Sequence, residues 1–293
     1  MSLAVPLQAI LVSIVIHSLW GGNPVAVKFG LEVFGPMWSA FFRFLIGIAC
    51  VLAWALLRGV RVWPHAGEWR PLLIIAALFT VQIGTMNLGF QHTTGAMGSV
   101  LLATNPLFAA LFAHLLIAGD RLTLVRSAGL VLAMAGTVVC LLQDADLSRL
   151  DFGAAGNWIT LFSATLLGLR LSISARVVRN MDEARVVIWQ MLLSLPLFAL
   201  GGALFETIAW ENLGFAPLAG IAYQGVVVAG VGFMVSLYLV KRYTPSVMMS
   251  FNFVSPVSGV LLAAWLLDER ITVLLLVGMA LVAAGLALIA RKS

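Results

Sequence analysis

Long runs of hydrophobic residues, separated by short polar gaps, make up nearly the whole chain. The runs predict ten helical spans, at about residues 5–29, 36–57, 70–90, 95–117, 123–142, 154–178, 185–205, 216–240, 245–267 and 271–290. A helix of about 20 residues crosses a bilayer, and backbone groups in lipid must bond within the protein, which favours helices. Because the alternating pattern of a membrane barrel is not seen, we predict an all-α membrane protein with ten transmembrane helices.

The same pattern occurs twice along the chain. The offset is 150 residues for Thr94/Thr244 and Pro106/Pro256, and 149 residues for Arg121/Arg270, Gly129/Gly278 and Gly136/Gly285. One residue lost in a connecting loop accounts for the difference. The offsets predict a duplication, with a first repeat at 5–142, a linker at 143–153 and a second repeat at 154–291. Duplicated units in an apolar chain are typical of transporters.

The composition disfavours a soluble protein. Of the 293 residues, 62% are hydrophobic and 10% are charged, and the mean hydropathy is +1.06. A soluble domain needs more charge to cover its surface. The net charge of +5 does not indicate a nucleic-acid partner, because the charges lie in short gaps between apolar runs. Cys50 and Cys140 lie inside such runs and C-x-x-C is absent, so we expect no disulfide and no metal.

The lysines and arginines predict the orientation in the membrane. If the N-terminus is cytoplasmic, twelve of the 17 Lys and Arg residues fall on the cytoplasmic side, three fall near the outer side, and Arg43 and Arg170 fall within spans. This bias predicts that both termini are cytoplasmic, in a bacterial inner membrane. Since each repeat has five helices, an odd number, the second repeat is expected to be inverted relative to the first.

The acidic residues disfavour one class of transporter. All of the Asp and Glu residues fall in loops or at helix ends of the predicted spans. A proton-driven exporter of cationic drugs usually has a carboxylate within a span, which binds the cation and releases it on protonation. The sequence supplies no such residue.

The first predicted span contains a break signal, Gly21-Gly22-Asn23-Pro24. Two glycines and a proline weaken the helix and can free backbone carbonyls, which membranes tolerate only beside protein or a wet cavity. We predict a hinge along a transport path; the alternative is a packed kink. His17, before the break, can titrate near neutral pH. Lys28, after it, either reaches the outer surface or attracts anions.

Two prolines, Pro106 and Pro256, interrupt the fourth and ninth predicted spans. A proline inside a helix removes one hydrogen bond and bends the helix. Asn105 and Ser255, each just before a proline, can supply a polar partner. We expect bends beside a cavity, and a static kink is the alternative.

Several polar, charged and aromatic residues are candidates for the wall of a cavity. Arg43 and Arg170 are costly in a bilayer unless they face water or bond carbonyls, so each attracts a carboxylate or clamps a helix end. Trp158 either anchors at the membrane interface or forms an aromatic wall. The residues expected to line a substrate cavity are Trp20, Asn23, Gln82, Met86, Asn87, Asn105, Trp158, Tyr238, Asn252 and Ser255.

At these residues the chain resembles the drug/metabolite transporter superfamily, EamA type. The resemblance rests on Trp20-Gly21-x-Asn23 with Lys28, on Arg43, on Pro106 and Pro256, and on Asp268-Glu269-Arg270. It covers nearly the whole chain as two EamA units and is closest to the YddG-type bacterial amino-acid exporters. The first copy departs from the family pattern, since Gly119-Asp120-Arg121 stands where Glu-Arg is usual. The resemblance implies a central cavity lined by helices 1, 3, 4, 6, 8 and 9.

We therefore predict export of aromatic and other neutral amino acids by alternating access. The alternatives are a multidrug or cation exporter of the same superfamily, and a non-transporting membrane scaffold or receptor. No enzyme motif such as a P-loop or H-E-x-x-H is present, so we expect neither enzyme activity nor a cofactor. The expected partners are a small-molecule substrate and the lipid bilayer, without nucleic acid, and the protein is expected to be a monomer.

Overall fold

The computed structural model describes residues 6–116, 124–142, 155–242 and 254–290. Within these ranges the chain is helical and forms no strand, which confirms the predicted all-α class. We number the helical units α1 to α10 in chain order. They are α1a (Leu7–Gly21), α1b (Asn23–Leu31), α2 (Pro36–Leu57), α3 (Trp69–Gln91), α4a (Gly95–Leu102), α4b (Asn105–Leu116), α5 (Leu124–Leu142), α6 (Ala155–Val177), α7 (Glu183–Phe205), α8 (Phe215–Ala222, Tyr223–Gly232 and Phe233–Arg242), α9 (Val254–Leu266) and α10 (Val273–Ala290).

Most of these units are long enough to cross a bilayer. Over the described residues, 7 helices have at least 18 residues and sufficient hydropathy, namely α1 to α4 and α6 to α8. The apolar parts of α5, α9 and α10 that the structure describes are shorter. The predicted linker and the Asp120-Arg121 segment lie outside the described residues.

The break predicted in the first span is present, because α1a ends at Gly21 and α1b begins at Asn23. The carbonyls around the break accept hydrogen bonds from hydroxyl groups of α8 and α9. These bonds run from Ser255 Oγ to His17 O (2.8 Å), from Ser258 Oγ to Ser18 O (3.0 Å) and from Tyr223 OH to Leu19 O (2.5 Å). Neighbouring helices thus satisfy the irregular backbone at membrane depth, as a low-dielectric environment requires.

The fourth span is also broken, between Leu102 and Asn105. Asn105 Nδ2 donates to Leu102 O at 2.8 Å, so this side chain supplies the polar partner that its position predicts. Thr104 Oγ1 donates to Leu101 O at 2.6 Å in the same turn. Ser255, the residue before Pro256, donates from Oγ to His17 O of α1.

The middle of α8, Tyr223–Gly232, is π-helical. π-helical turns are rare and are found frequently at functional sites. Glycines of this segment pack closely on α2, since a Cβ at Gly225 would lie 2.6 Å from Ile46 Cβ. The wider turn changes the face that every later residue of α8 presents, relative to a regular α-helix.

An aromatic cluster fills the core between α2, α3 and α7. Phe44, Phe79 and Phe198 are fully buried. The ring centroids of Phe44 and Phe79 are 4.7 Å apart, and those of Phe44 and Phe198 are 5.8 Å apart. Such close aromatic pairs add to the stability that their burial supplies. The rings of Phe44 and Phe79 also contact the guanidinium groups of Arg43 and Arg170.

Candidate substrate cavity

A cavity of about 170 Å³ lies between the helices. A bound water needs roughly 10–15 Å³ on this measure, so the cavity has room for a small solute. Its lining comes from α1 to α4 and α6 to α9. The resemblance implies six of these helices, and the structure adds α2 and α7. The lining residues are Trp20, Gly21, Asn23, Pro24, Arg43, Gln82, Ile83, Met86, Ser99, Leu102, Ala103, Asn105, Leu167, Arg170, Leu171, Ser174, Val186, Val187, Gln190, Val228, Phe233, Ser236 and Ser255.

The structure brings many of the sequence-predicted residues together at this cavity. Of the ten residues expected to line it, six do so: Trp20, Asn23, Gln82, Met86, Asn105 and Ser255. Two residues of the predicted hinge, Gly21 and Pro24, also contribute to the wall, as do both intramembrane arginines. These residues lie on six different helices, far apart in sequence.

Three predicted lining residues lie elsewhere, and each has a physical reason. Asn87 is fully buried and donates from Nδ2 to Pro36 O at 2.8 Å; it follows Met86 by one residue, which turns it about 100° around α3. Trp158 is 47% exposed near the start of α6, where tryptophan suits the membrane interface. Tyr238 is 49% exposed, because the π-helical segment before it changes its face. Asn252 lies outside the described residues.

The remaining predicted residues lie around the cavity and not in its wall. Gly22 caps the end of α1a, and Pro106 and Pro256 lie near the starts of α4b and of the described part of α9. His17 is buried, with Nδ1 2.7 Å from Ser13 O and its ring edge-on to Trp20. Lys28 is half-buried in the last turn of α1b.

The two cavity arginines are held in similar surroundings. Arg43 Nη1 donates to Gln224 Oε1 at 3.3 Å, and Arg170 Nη1 donates to Gln190 Oε1 at 3.0 Å. Arg43 Cζ lies 4.4 Å from the ring centroid of Phe44, and Arg170 Cζ lies 5.0 Å from that of Phe79. The sequence left open whether these arginines attract a carboxylate or clamp a neighbouring helix end. In the structure their partners are glutamine side chains and aromatic faces.

Three amide side chains in the wall leave their oxygens unpaired. Gln82 Nε2 donates to Ser163 Oγ at 3.3 Å, while Ser163 Oγ donates to Gln82 O at 2.8 Å, which fixes the orientation of the Gln82 amide. Asn105 Nδ2 donates to a carbonyl, so its oxygen is also fixed. The unpaired acceptors are Asn23 Oδ1, Gln82 Oε1 and Asn105 Oδ1. Unpaired buried acceptors are uncommon and point to a ligand or water partner.

Sequence reasoning missed several polar residues of the site. Gln190 and Ser174 line the cavity, and Gln224 supports Arg43 from behind. Each is a polar residue inside a long apolar run, and this pattern could have identified it. Within the described ranges, no group of three or more His, Cys, Asp or Glu residues could hold a metal ion.

Polar connections join the two halves of the chain at both ends of the bundle. Glu206 accepts hydrogen bonds from the backbone N–H groups of Met37 and Trp38, at 2.8 and 3.0 Å. Glu269 accepts from Gly95 N and Ala96 N, at 2.6 and 2.8 Å. Both carboxylates therefore cap helix N-termini, where negative charge is favoured.

The connections at the opposite end centre on Arg185 of α7. Arg185 Nη1 lies 2.6 Å from Glu68 Oε1. Its Nε and Nη2 donate to Arg61 O at 3.2 and 3.1 Å, and Trp189 Nε1 donates to Val62 O at 2.8 Å. Together these bonds attach the start of α7 to the connection between α2 and α3.

Comparison with known proteins places the chain among membrane transporters. It is 24% identical to a WAT1-related chloroplastic protein of Arabidopsis thaliana, over 89% of this chain and 64% of that protein. It is 25% identical to the uncharacterized inner membrane transporter YedA of Escherichia coli, over 88% and 82% of the two chains. It is 28% identical to the uncharacterized transporter YdeK of Bacillus subtilis, over 92% and 91%. The chain thus spans less than two thirds of the plant protein.

The fold and the family agree with this placement. A solved crystal structure matches 96% of each chain with a TM-score of 0.70 at 22% sequence identity. The sequence profile of the EamA-like transporter family matches residues 7–142 and again residues 154–291. The two matches together span most of the chain and include every helix that lines the cavity. The chain therefore belongs to the EamA-like transporter family.

Proposed function

We propose that this membrane transporter exports aromatic and other neutral amino acids, as the YddG-type exporters do, by alternating access through the central cavity. The observation that carries this proposal is the chemistry of the wall. Among the residues described there, the charged side chains are Arg43 and Arg170, and no carboxylate is present. A cationic drug would meet like charge without a counter-ion, which is unfavourable in a low-dielectric site.

The rest of the wall suits a solute with one polar end and one apolar end. The amides of Asn23, Gln82 and Asn105 offer unpaired acceptors. The apolar part of the wall includes Ile83, Met86, Leu102, Leu167, Leu171 and Phe233. Ligand sites commonly combine an apolar wall with a few polar groups that fix orientation. An amino acid with an aromatic or aliphatic side chain meets both requirements.

Alternating access rests on the inverted repeat that the sequence predicts, and close helix contacts support this arrangement. A Cβ on Gly21 would lie within 3 Å of atoms of Ser255, Ser258 and Gly259. A Cβ on Gly168 would lie within 3 Å of atoms of Asn105, Phe108 and Ala109. The three neighbours of Gly168 are numbered 150 below the three neighbours of Gly21. An offset of 150 residues also relates the repeated patterns in the sequence. The α1–α9 and α6–α4 contacts therefore correspond.

A second glycine pair repeats this correspondence at the edge of the bundle. A Cβ on Gly136 would meet Gly278 O and Val282 N, and a Cβ on Gly285 would meet Gly129 O and Ala133 N. Both pairs of neighbours differ by 149 residues. The packing of whole helices shows the same correspondence between the two halves. α1 packs on α8 and α9, and in the corresponding way α6 packs on α3 and α4. These exchanges are what a two-fold axis between the halves would produce.

The proposed location is the inner membrane of a bacterium, with both termini in the cytoplasm. The relative YedA is named an inner membrane transporter. The excess of Lys and Arg on one side of the predicted spans predicts the orientation. Cysteine labelling from each side of intact cells tests the orientation. Labelling of the two ends from opposite sides would contradict it.

The proposed function is tested by flux of labelled phenylalanine into liposomes that contain the purified protein. We expect saturable flux, and we expect Gln82→Ala to reduce it. Gln91→Ala is the matched control, because Gln91 is an exposed residue of the same helix. Flux of tetraphenylphosphonium in place of phenylalanine would favour a cation exporter, and flux equal to that of empty vesicles would refute transport of this amino acid.

A further inference from the structure

Among the residues that the structure describes, the two cavity arginines have no carboxylate as a counter-ion. Arg43 is 1% exposed and Arg170 is 6% exposed. Neither guanidinium forms an ion pair with a carboxylate in the part of the chain that the structure describes. Both arginines line the same cavity. Two buried positive charges at one site are costly unless an anion joins them.

The partners that the arginines do have leave donors available. A guanidinium carries five N–H donors. For each arginine, Nη1 bonds one glutamine oxygen, whereas the buried Nε has no hydrogen-bond partner. The rings of Phe44 and Phe79 lie under the guanidinium groups and hold them in place through cation–π contacts. Because the two rings are packed together, the two guanidinium groups are fixed on adjacent supports.

We infer that Arg43 and Arg170 together form a subsite that binds the carboxylate of the transported solute. This inference rests on the proposed function and assigns its recognition chemistry. Guanidinium and carboxylate groups match in geometry and form charge-assisted hydrogen bonds. The two arginines come from α2 and α6, one in each predicted repeat, so a bound carboxylate would join the two halves.

The amide acceptors complete the match to an amino acid. Asn23, Gln82 and Asn105 lie on α1, α3 and α4, and their unpaired oxygens can accept hydrogen bonds from an ammonium group. These neutral oxygens contribute dipoles and not a full charge. The carboxylate is therefore the end of the solute that determines affinity, and the ammonium end adds a smaller part.

The inference is tested by isothermal titration calorimetry of the full chain in detergent with four related ligands. Phenylalanine has both charged ends, 3-phenylpropionate has only the carboxylate, and phenethylamine and phenylalaninamide have only the ammonium. We expect the two carboxylates to bind, and we expect the two amines to bind about tenfold more weakly or worse, the size of a lost charged hydrogen bond. Inorganic phosphate is the fifth probe, because a guanidinium pair also matches a simple anion.

Substitutions locate the subsite. Arg43→Gln and Arg170→Gln should each weaken binding of 3-phenylpropionate by about tenfold or more. Arg43→Lys and Arg170→Lys should each recover part of the loss, because the ammonium group keeps the positive charge but lacks the planar guanidinium that pairs with a carboxylate. Arg58→Gln and Arg176→Gln are the controls, since both residues are exposed, Arg58 directly after the end of α2 and Arg176 in the last turn of α6. These controls should bind as the unaltered protein does. If a glutamine variant does not fold, the ligand series on the unaltered protein still decides.

The possible failures are distinguishable. Equal binding of phenethylamine and phenylalanine, binding of phosphate without 3-phenylpropionate, or no binding of either carboxylate would overturn the subsite. If 3-phenylpropionate binds through both arginines while liposomes move no amino acid, the subsite stands and the proposed substrate is wrong. If phenylalanine is transported and the arginine variants bind it normally, the proposed function stands and the subsite is wrong.

Discussion

The close approach of α6 to α4b predicts that Gly168→Ala destabilises the protein. A Cβ at Gly168 would lie 2.7 Å from Ala109 N and 2.8 Å from Asn105 O. Both neighbours are backbone atoms, so no side-chain rotation can make room and the two helices must separate. The same argument applies to Gly21→Ala, whose Cβ would meet the backbone of α9.

The expected magnitude combines two opposing effects. Overpacking of a tight contact costs about 1–3 kcal/mol, whereas replacing glycine by alanine inside a helix gains about 1 kcal/mol. The contacts here are at the tight end, so we expect a net loss of roughly 1–2 kcal/mol. For a large chain, each kcal/mol lowers the midpoint of thermal unfolding by about 2–4 °C.

Size-exclusion chromatography of heated samples in detergent measures this shift. Gly67→Ala is the matched control, because a Cβ there would meet no atom within 4 Å. We expect Gly168→Ala and Gly21→Ala to unfold at similarly reduced temperatures and Gly67→Ala to match the unaltered protein. If Gly168→Ala were as stable as Gly67→Ala, the close contact would be refuted. Opposite shifts for Gly21→Ala and Gly168→Ala would refute the correspondence of the two sites.

Three further predictions follow from particular contacts. Pro106→Ala and Pro256→Ala should reduce flux more than folded yield if, as we propose, bends at these prolines serve movement; an equal loss of folded protein would show a purely structural role. Glu269→Gln should lower thermal stability by about 1–3 kcal/mol, since one of two backbone N–H groups loses a charged acceptor; unchanged unfolding would contradict this. Arg185→Gln and Glu68→Gln, measured singly and together, should show coupling of about 0.5–3 kcal/mol, and additive losses would argue against a working ion pair.

Sequence patterns predicted those features that depend on local chemistry. The breaks at Gly21-Gly22-Asn23-Pro24 and before Pro106 were predictable, because glycine and proline act on their own stretch of backbone. The role of Asn105 followed for the same reason, since its partner is only three residues away. Gln82 and Met86 were predicted at the cavity and both line it, because residues four apart share a face of a helix.

The sequence did not indicate the position of side chains whose surroundings come from distant parts of the chain. The position of Trp158 was left open between interface and cavity, and its exposure was settled by how α6 sits against its neighbours. Tyr238 is exposed and follows the π-helical segment of α8, which changes the helical phase relative to a regular α-helix. Gln190 and Gln224 were overlooked, since their importance comes from the arginines that they meet.

The sequence by itself determined that this chain is an all-helical membrane protein with internal repetition and broken spans, because the lengths of apolar runs and the positions of proline and glycine are local properties. Tertiary structure decided which face of each helix forms the cavity. In water, the buried face of a helix is the apolar one. In lipid, the outward face is apolar as well, so the sequence of α2 or α7 does not indicate its rotation. Only packing against the other helices turns Arg43 and Gln190 inward.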